Sequence, residues 1–272
     1  MSSAEKREKV SLTLNGQATT AAAGETLLTV ARRLGVQIPT LCHHKAVLPY
    51  SACRLCVVEV KWGERVKLVV SCVYEPWDGD VVETDSPRVR STRRMILEFL
   101  LARCPKVKQI RDLAKEYGAT GKMFHPAAGD NPGQRCILCG LCVRVCAEVI
   151  GRHAIGYAGR GIEKIVAAPF GSESRECIGC GACVHVCPTG AVHSRDADGQ
   201  RAMEEWHTVL PLVPCRACGT PFATAKQVDL LKTRVPLSAE MMETCPACRR
   251  RETCAALIET WRTEQKPFSS EA

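Results

Sequence analysis

At 272 residues the chain is long enough for two or more modest domains, yet an aromatic content of 5% is thin for one large hydrophobic core. No stretch approaches the roughly 18 apolar residues of a membrane span, and the polar start MSSAEKREKV lacks the apolar centre of a secretion signal. Its 18 cysteines therefore read as thiols kept in a reducing cytosol, not as disulfides, while a formal charge of +8 raises the question of an anionic partner.

Val10-Ser-Leu-Thr-Leu14 alternates as a strand should, and Asn15-Gly16 is the dipeptide favoured in a tight hairpin, with Gln17 to Ala22 as the return strand. Gly24-Glu25-Thr26 then opens a helix carrying Leu27, Val30, Ala31 and Leu34 on one face, with Gly35 as its stop. Cys42, Cys53, Cys56 and Cys72 follow, the central pair lying just before the strand-like Val57 to Val60. Lys67 to Cys72 and Asp80 to Glu83 supply further strands. Hairpin, helix and cysteine loop make the opening of a β-grasp ferredoxin. Those four cysteines are expected to hold a [2Fe-2S] cluster in a domain over 9–85, with zinc as the alternative. His43 and His44 adjoin Cys42, but Rieske-type ligation replaces two cysteines and four are already present. Both histidines read as supporting or surface residues.

Asp85-Ser86-Pro87 is a helix start, a capping residue followed by Pro at the first helical position. The helix to Cys104 places Val89, Ile96, Phe99 and Leu100 on one face. Lys106 to Tyr117 repeats the pattern with Val107, Ile110, Leu113, Ala114 and Tyr117, ending at Gly118. These helices form a connector over 86–130. Cys104 has no cysteine at ligand spacing and reads as a buried thiol. Gly129-Asp-Asn-Pro-Gly133 is a turn-rich boundary.

Cys136, Cys139, Cys142 and Cys146 repeat as Cys177, Cys180, Cys183 and Cys187, the last followed by Pro188. This doubled C-x2-C-x2-C-x3-C run is the spacing of a bacterial two-cluster ferredoxin, in which the fourth cysteine of each run ligates the other cluster. One [4Fe-4S] is expected on Cys136, Cys139, Cys142 and Cys187, and a second on Cys177, Cys180, Cys183 and Cys146, in a domain over 131–205. Structural zinc takes paired CxxC knuckles instead. Between the runs, Ala154-Ile-Gly-Tyr-Ala-Gly-Arg-Gly161 lacks the Lys-Ser/Thr and the strand–turn–helix context of a phosphate loop, and reads as backbone turning tightly beside a cluster. No G-x-G-x-x-G occurs, so no flavin or nicotinamide is expected on this chain itself.

The last segment, 206–264, carries Cys215-Arg-Ala-Cys218-Gly219 and Cys245-Pro-Ala-Cys248. Two separated CxxC knuckles are the pattern of a zinc ribbon, and zinc on Cys215, Cys218, Cys245 and Cys248 is the preferred reading. A fourth iron–sulfur cluster, helped by Cys254, is the alternative. A helix from about Glu252 to Thr263, with Ala256, Leu257, Ile258 and Trp261, closes the chain. A +2 core or ion held by four thiolates carries about −2, so four such sites offset the +8 of the polypeptide. The basic residues then read as compensation for buried anions, and no nucleic-acid partner is expected.

Residues 9 to about 193 resemble the N-terminal part of the large iron–sulfur subunit of respiratory complex I, and equally the electron-transfer subunits of NAD-coupled hydrogenases and formate dehydrogenases. The matching segments are Ile38-Pro-Thr-Leu-Cys42, Cys53-Arg-Leu-Cys56, Cys136-Ile-Leu-Cys-Gly-Leu-Cys142, Ala154 to Gly161 and Val186-Cys-Pro-Thr-Gly-Ala191. The resemblance implies a [2Fe-2S] and two [4Fe-4S] clusters exchanging electrons with an NADH-oxidising flavoprotein subunit. Members usually place a His and three Cys between the two ferredoxin domains for a further [4Fe-4S]. Here only Cys104 remains, so that cluster is expected to be absent. The triad's spacing recurs at Cys245, Cys248 and Cys254, but Met241 stands where the His would fall. A cluster there would need Cys215 or Cys218. The large molybdopterin-type domain that follows in complex I is missing too, which suggests a wire without its own catalytic terminus.

The expectation is thus an α+β protein made of a β-grasp [2Fe-2S] domain, a helical connector, a 2[4Fe-4S] domain and a zinc-ribbon-like end. It would act as a cytoplasmic electron-transfer subunit in a hetero-oligomer. Its partners would be a flavoprotein and a catalytic metal-enzyme subunit of the hydrogenase, formate dehydrogenase or tungsten/molybdenum reductase type. No acid, base or nucleophile is evident, and the cysteines serve as ligands. The competing class is a zinc-scaffold regulatory protein.

Overall fold

A computed structural model of the chain describes residues 9–124, 134–236 and 238–264, with side chains to residue 261. The Gly129 to Gly133 boundary lies outside the described residues. The chain forms two compact units, Met1–Ala167 with Ala182–Val192, and Ala168–Gly181 with His193–Ala272. Cys177 and Cys180 therefore belong to the second unit, and Cys183 and Cys187 to the first.

In the first unit, β1 (Lys9–Leu14) and β2 (Gln17–Ala22) pair antiparallel across Asn15-Gly16, both of which take positive φ. Helix α1 (Leu27–Arg33) starts where the Thr26 side chain accepts from the Thr29 N–H. Strands β3 (Val57–Trp62), β4 (Arg65–Val70) and β5 (Asp80–Glu83) complete a five-stranded sheet of order β2-β1-β5-β3-β4, in which only the β1–β5 pairing is parallel. The alternating Leu12, Leu14, Val58, Val60 and Val82 point into one core with Leu27, Leu28, Val30 and Ala31 of α1. The sheet grasps the helix as the hairpin–helix–strand order anticipated, and the cysteine loop leaves one end of that core.

Helix α2 (Pro87–Arg103) is capped by Ser86, whose hydroxyl accepts from the Val89 N–H at 3.3 Å. Its buried face differs from the apolar pattern. Val89, Arg93, Leu97 and Glu98 are buried, whereas Phe99 is 54% exposed and stacks on Phe124. Hydrophobicity misplaced the stripe because two of the inward residues are charged. Arg93 donates to carbonyls of the cysteine loop, and Glu98 accepts from the Thr120 N–H at 2.6 Å. Helix α3 (Lys108–Tyr117) follows the expected pattern, burying Val107, Ile110, Ala114 and Tyr117 and stopping at left-handed Gly118. Cys104 is fully buried in the core that joins α2 and α3 to the cysteine loops.

The same unit continues with α4 (Leu141–Arg144), prolonged by a π-helical turn over Val145–Val149 that carries Cys146. A small ladder, β6 (Gly156–Ala158) with β7 (Ile165–Ala167), occupies the glycine-rich stretch, and α5 (Ala182–Val186) bears Cys183.

The second unit is built on an antiparallel meander of β8 (Ser194–Ala197), β9 (Gln200–Met203), β10 (Thr208–Pro214) and β11 (Pro221–Thr224). Helices α6 (Ala225–Arg234), α7 (Ala239–Met242) and α8 (Pro246–Glu264) follow. The sequence patterns missed this meander and α6. The final helix begins six residues before the expected Glu252, with Pro246 at its first position. Among the described residues no helix is long and apolar enough to cross a membrane.

Ile110 is wholly buried where α3 meets the cysteine loops. Ile110→Ala is expected to lower unfolding stability by about 2–5 kcal/mol, read from anaerobic denaturant melts of the holoprotein.

Candidate iron–sulfur and metal centres

Cys42, Cys53, Cys56 and Cys72 are all buried, at 2%, 7%, 1% and 1% exposure. They come from the loop after α1, the turn before β3 and the second residue beyond β4. Left-handed Arg54 bends the chain between the central two. The Cys53 N–H donates to the Cys42 sulfur at 3.3 Å, and the Leu41 N–H donates to the Cys53 sulfur at 3.4 Å. Hydrogen bonding with Cys42 pulls the Cys53 thiol down to about 6, and bonding with Cys72 pulls Cys56 down to about 7. Cys42 and Cys72, which hold the shared protons, are pushed up by those bonds and by burial. The four thiols thus meet as two hydrogen-bonded pairs, and binding a metal displaces their protons. His43 stays off this set. Burial and the charge of Arg32, 3.2 Å away, lower its pKa.

In the first run, burial raises Cys136, raises Cys139 to about 11 and raises Cys142 further. Each of the three is also raised by the charge of Cys187, 45 to 51 residues away in sequence. Cys183 contributes to raising Cys142 as well, and the Cys187 sulfur accepts from the Ala191 N–H at 3.1 Å. Left-handed Leu138 and Gly140 wind the loop. A Cβ at Gly140 would collide with the Tyr157 hydroxyl, which donates to the Leu138 carbonyl.

Two features join this run to the preceding site. Cys42, Cys53 and Cys139 share one buried core, and the charge of Cys53 contributes to raising Cys139. Arg144 donates to the Cys42 carbonyl at 3.2 Å and to the Leu48 carbonyl, while Glu148 accepts from the Leu48 N–H at 3.0 Å. Sequence reasoning missed Arg144 and Glu148, since their partners lie about a hundred residues away and no local pattern marks them.

The Cys177–Cys180 turn is fastened within the second unit. Arg201 donates to the Gly179 carbonyl at 3.0 Å and forms a two-pronged pair with Asp196 at 2.7 Å for each bond. A Cβ at left-handed Gly179 would come within 2.8 Å of Thr224 Cγ2. The Cys146 sulfur, in the first unit, accepts from the Ala154 N–H at 3.3 Å.

The sulfurs of Cys215, Cys218, Cys245 and Cys248 all lie within 4.8 Å of one another. The first pair forms the turn between β10 and β11, with the Gly219 N–H bonded to the Cys215 carbonyl. The second sits in the first turn of α8, not in a second hairpin as a ribbon would have it. Four sulfurs bonded at about 2.3 Å to one tetrahedral ion stand roughly 3.8 Å apart, and Cys218 to Cys245 is 3.9 Å. The Cys245 N–H draws the Cys215 thiol down to about 6, whereas burial lifts Cys248 to about 12. Cys254 is exposed and outside the group.

Residues 7–87 match the family profile of a 2Fe-2S iron-sulfur cluster binding domain, and residues 135–191 match a 4Fe-4S dicluster domain. A further 4Fe-4S dicluster match covers 171–223 and so reaches Cys215 and Cys218. The mitochondrial NADH-ubiquinone oxidoreductase 78 kDa subunit of Neurospora crassa is 34% identical over 181 residues, 58% of this chain and 24% of its own length. NADPH-Fe(3+) oxidoreductase subunit alpha of Geobacter sulfurreducens is 35% identical over 178 residues, covering 58% of this chain and 21% of that subunit. A solved structure of an NAD+-reducing [NiFe]-hydrogenase in the H2-reduced state superposes with a TM-score of 0.51 at 30% identity, over 59% of this chain and 75% of the hydrogenase chain. This chain belongs to that iron–sulfur family. Its 2Fe-2S and 4Fe-4S dicluster domains are similar to the iron–sulfur region of these subunits, and the chain spans less than a quarter of the length of the two curated relatives.

The family region places a rigid glycine where Tyr157 meets the first cysteine run. Gly140→Ala is expected to expel Tyr157 and lower iron content while leaving the far-ultraviolet dichroism of the sheet domain intact.

Proposed function

We propose that the chain is the iron–sulfur electron-transfer subunit of a multi-subunit, NAD(P)H- and flavin-coupled oxidoreductase. The observation that supports this most is the shared burial of Cys42, Cys53 and Cys139 in a single core, since centres held by these cysteines would lie near one another. Cys42, Cys53, Cys56 and Cys72 would hold a [2Fe-2S]. Cys136, Cys139, Cys142 and Cys187 would hold one [4Fe-4S], and Cys177, Cys180, Cys183 and Cys146 the other, in domains divided as the sequence patterns suggest. When bound, these clusters supply one-electron redox chemistry at potentials set by charge, hydrogen bonds and burial. The protein's residues bring the thiolates together, exclude water and donate hydrogen bonds to sulfur.

Zinc is the reading favoured for Cys215, Cys218, Cys245 and Cys248, because four sulfurs this close suit one ion. The dicluster match ending at 223 stops short of Cys245 and Cys248, which complete the group. The partners would be an NADH-oxidising flavoprotein and a catalytic metal subunit in a hetero-oligomer, in a reducing compartment such as the cytosol.

Anaerobically purified protein should contain about ten irons and one zinc, two irons for the first centre and four for each of the others. Reduced-state EPR should show more than one centre. Colourless, zinc-loaded protein would end the proposal, and about fourteen irons without zinc would move the last site to a cluster. Cys187→Ser should abolish the centre of the first run and spare that of the second.

A further inference from the structure

Arg93 is the largest of the fully buried side chains, at 1% exposure, and it lies on α2 behind the Cys53–Cys56 turn. Its Nε donates to the Leu55 carbonyl at 3.0 Å and a terminal nitrogen donates to the Val57 carbonyl at 2.7 Å. Its other terminal nitrogen donates to the Tyr117 hydroxyl at 3.0 Å. The carbonyl between the two, that of Cys56 itself, accepts from the Ser71 N–H and hydroxyl at 3.0 and 2.8 Å. Three consecutive carbonyls bracketing one cysteine are thereby held, two of them by a single cation. Because the peptide is planar and trans, fixing the Leu55 carbonyl also fixes the direction of the Cys56 N–H.

A buried guanidinium normally demands an anionic partner. Its carboxylate contact is Asp85, 3.7 Å away and 55% exposed at its side chain, and Arg90 already binds Asp85 at 2.8 Å. Asp85 is therefore a weak, solvent-screened counter-ion. The Leu55–Val57 backbone that Arg93 holds carries Cys56, one of the four thiols read as ligands of the [2Fe-2S].

We propose that Arg93 is a positioning residue that raises the reduction potential of the [2Fe-2S] centre, acting as its buried counter-charge through the carbonyls flanking Cys56. The inference rests on Cys42, Cys53, Cys56 and Cys72 being the [2Fe-2S] ligands. One-electron reduction takes such a site from about −2 to about −3, and a fixed nearby cation stabilises the reduced form more than the oxidised one. Removing the charge makes the centre harder to reduce. In the test that electron comes from dithionite.

The full chain is titrated anaerobically with dithionite and mediators while the [2Fe-2S] EPR signal is followed. Arg93→Gln is expected to reduce the equilibrium constant for reduction at least tenfold, a shift of about 59 mV to more negative potential for one electron. The other centres should not move. Arg93→Lys keeps the charge and should lie closer to wild type. Asp85→Asn, at an exposed position that is not the helix cap, should shift the potential in the positive direction. An unchanged potential in Arg93→Gln with its cluster intact overturns the proposal, as does an equal fall in Arg93→Lys. If Arg93→Gln does not load the cluster, Arg93→Lys decides, and a fall of about 59 mV or more there, with the charge kept, overturns it. Absence of a [2Fe-2S] signal from the wild-type chain would instead strike the ligand reading on which the inference depends.

Discussion

Buried sulfur is the constraint around which this chain is arranged. A thiol in an apolar interior resists ionisation, and a thiolate there is a costly unpaired charge. Yet the interior of the first unit is lined with cysteines drawn from segments far apart in sequence, Cys42, Cys53 and Cys139 among them. The upward shifts of Cys139 and Cys142 express the cost of ionising thiols there, whereas hydrogen bonds from Cys42 and Cys72 offset it at Cys53 and Cys56. A bound metal centre would resolve it by replacing the protons with a cation, which couples metal binding to folding. With few aromatic residues to build a core, buried cysteines supply part of the packed interior of each unit.

Cysteine loops raise a second problem, that of their own backbone. Left-handed turns at Arg54, Leu138, Gly140 and Gly179 take carbonyls out of any regular ladder, and buried carbonyls need donors. Arginine answers this repeatedly. Arg93 binds the Leu55 and Val57 carbonyls, Arg103 that of Cys136, Arg135 that of Thr189, Arg144 that of Cys42 and Arg201 that of Gly179. A planar fork with several rigid donors suits carbonyls splayed around a turn better than a lysine does. The formal +8 thus has a structural destination. Some of its cations sit against the loops whose thiolates, once metallated, carry the opposing charge.

Chain order made the β-grasp core and the cysteine sites legible, because hairpin dipeptides, helical spacing and C-x2-C runs are local signals. Asn15-Gly16, the α1 stripe, strand β5 and the α3 face all stand where the patterns placed them. Local signals failed where burial runs against hydrophobicity. The α2 face turns on Arg93 and Glu98 instead of Phe99, and β8 and β9 of the meander carry too exposed and too polar a pattern to announce themselves.

Covalent spacing alone could establish which sulfurs are near neighbours along the chain, and hence the kinds of centre. Whether Cys187 faces the first run, whether Cys254 joins the last site, and how Arg144 ties the Cys42 loop to α4 depend on contacts spanning up to about a hundred residues. Such pairings leave no periodic trace in sequence. Only the folded chain, by closing those long loops, brings such distant residues together, as it does for Cys215, Cys218, Cys245 and Cys248.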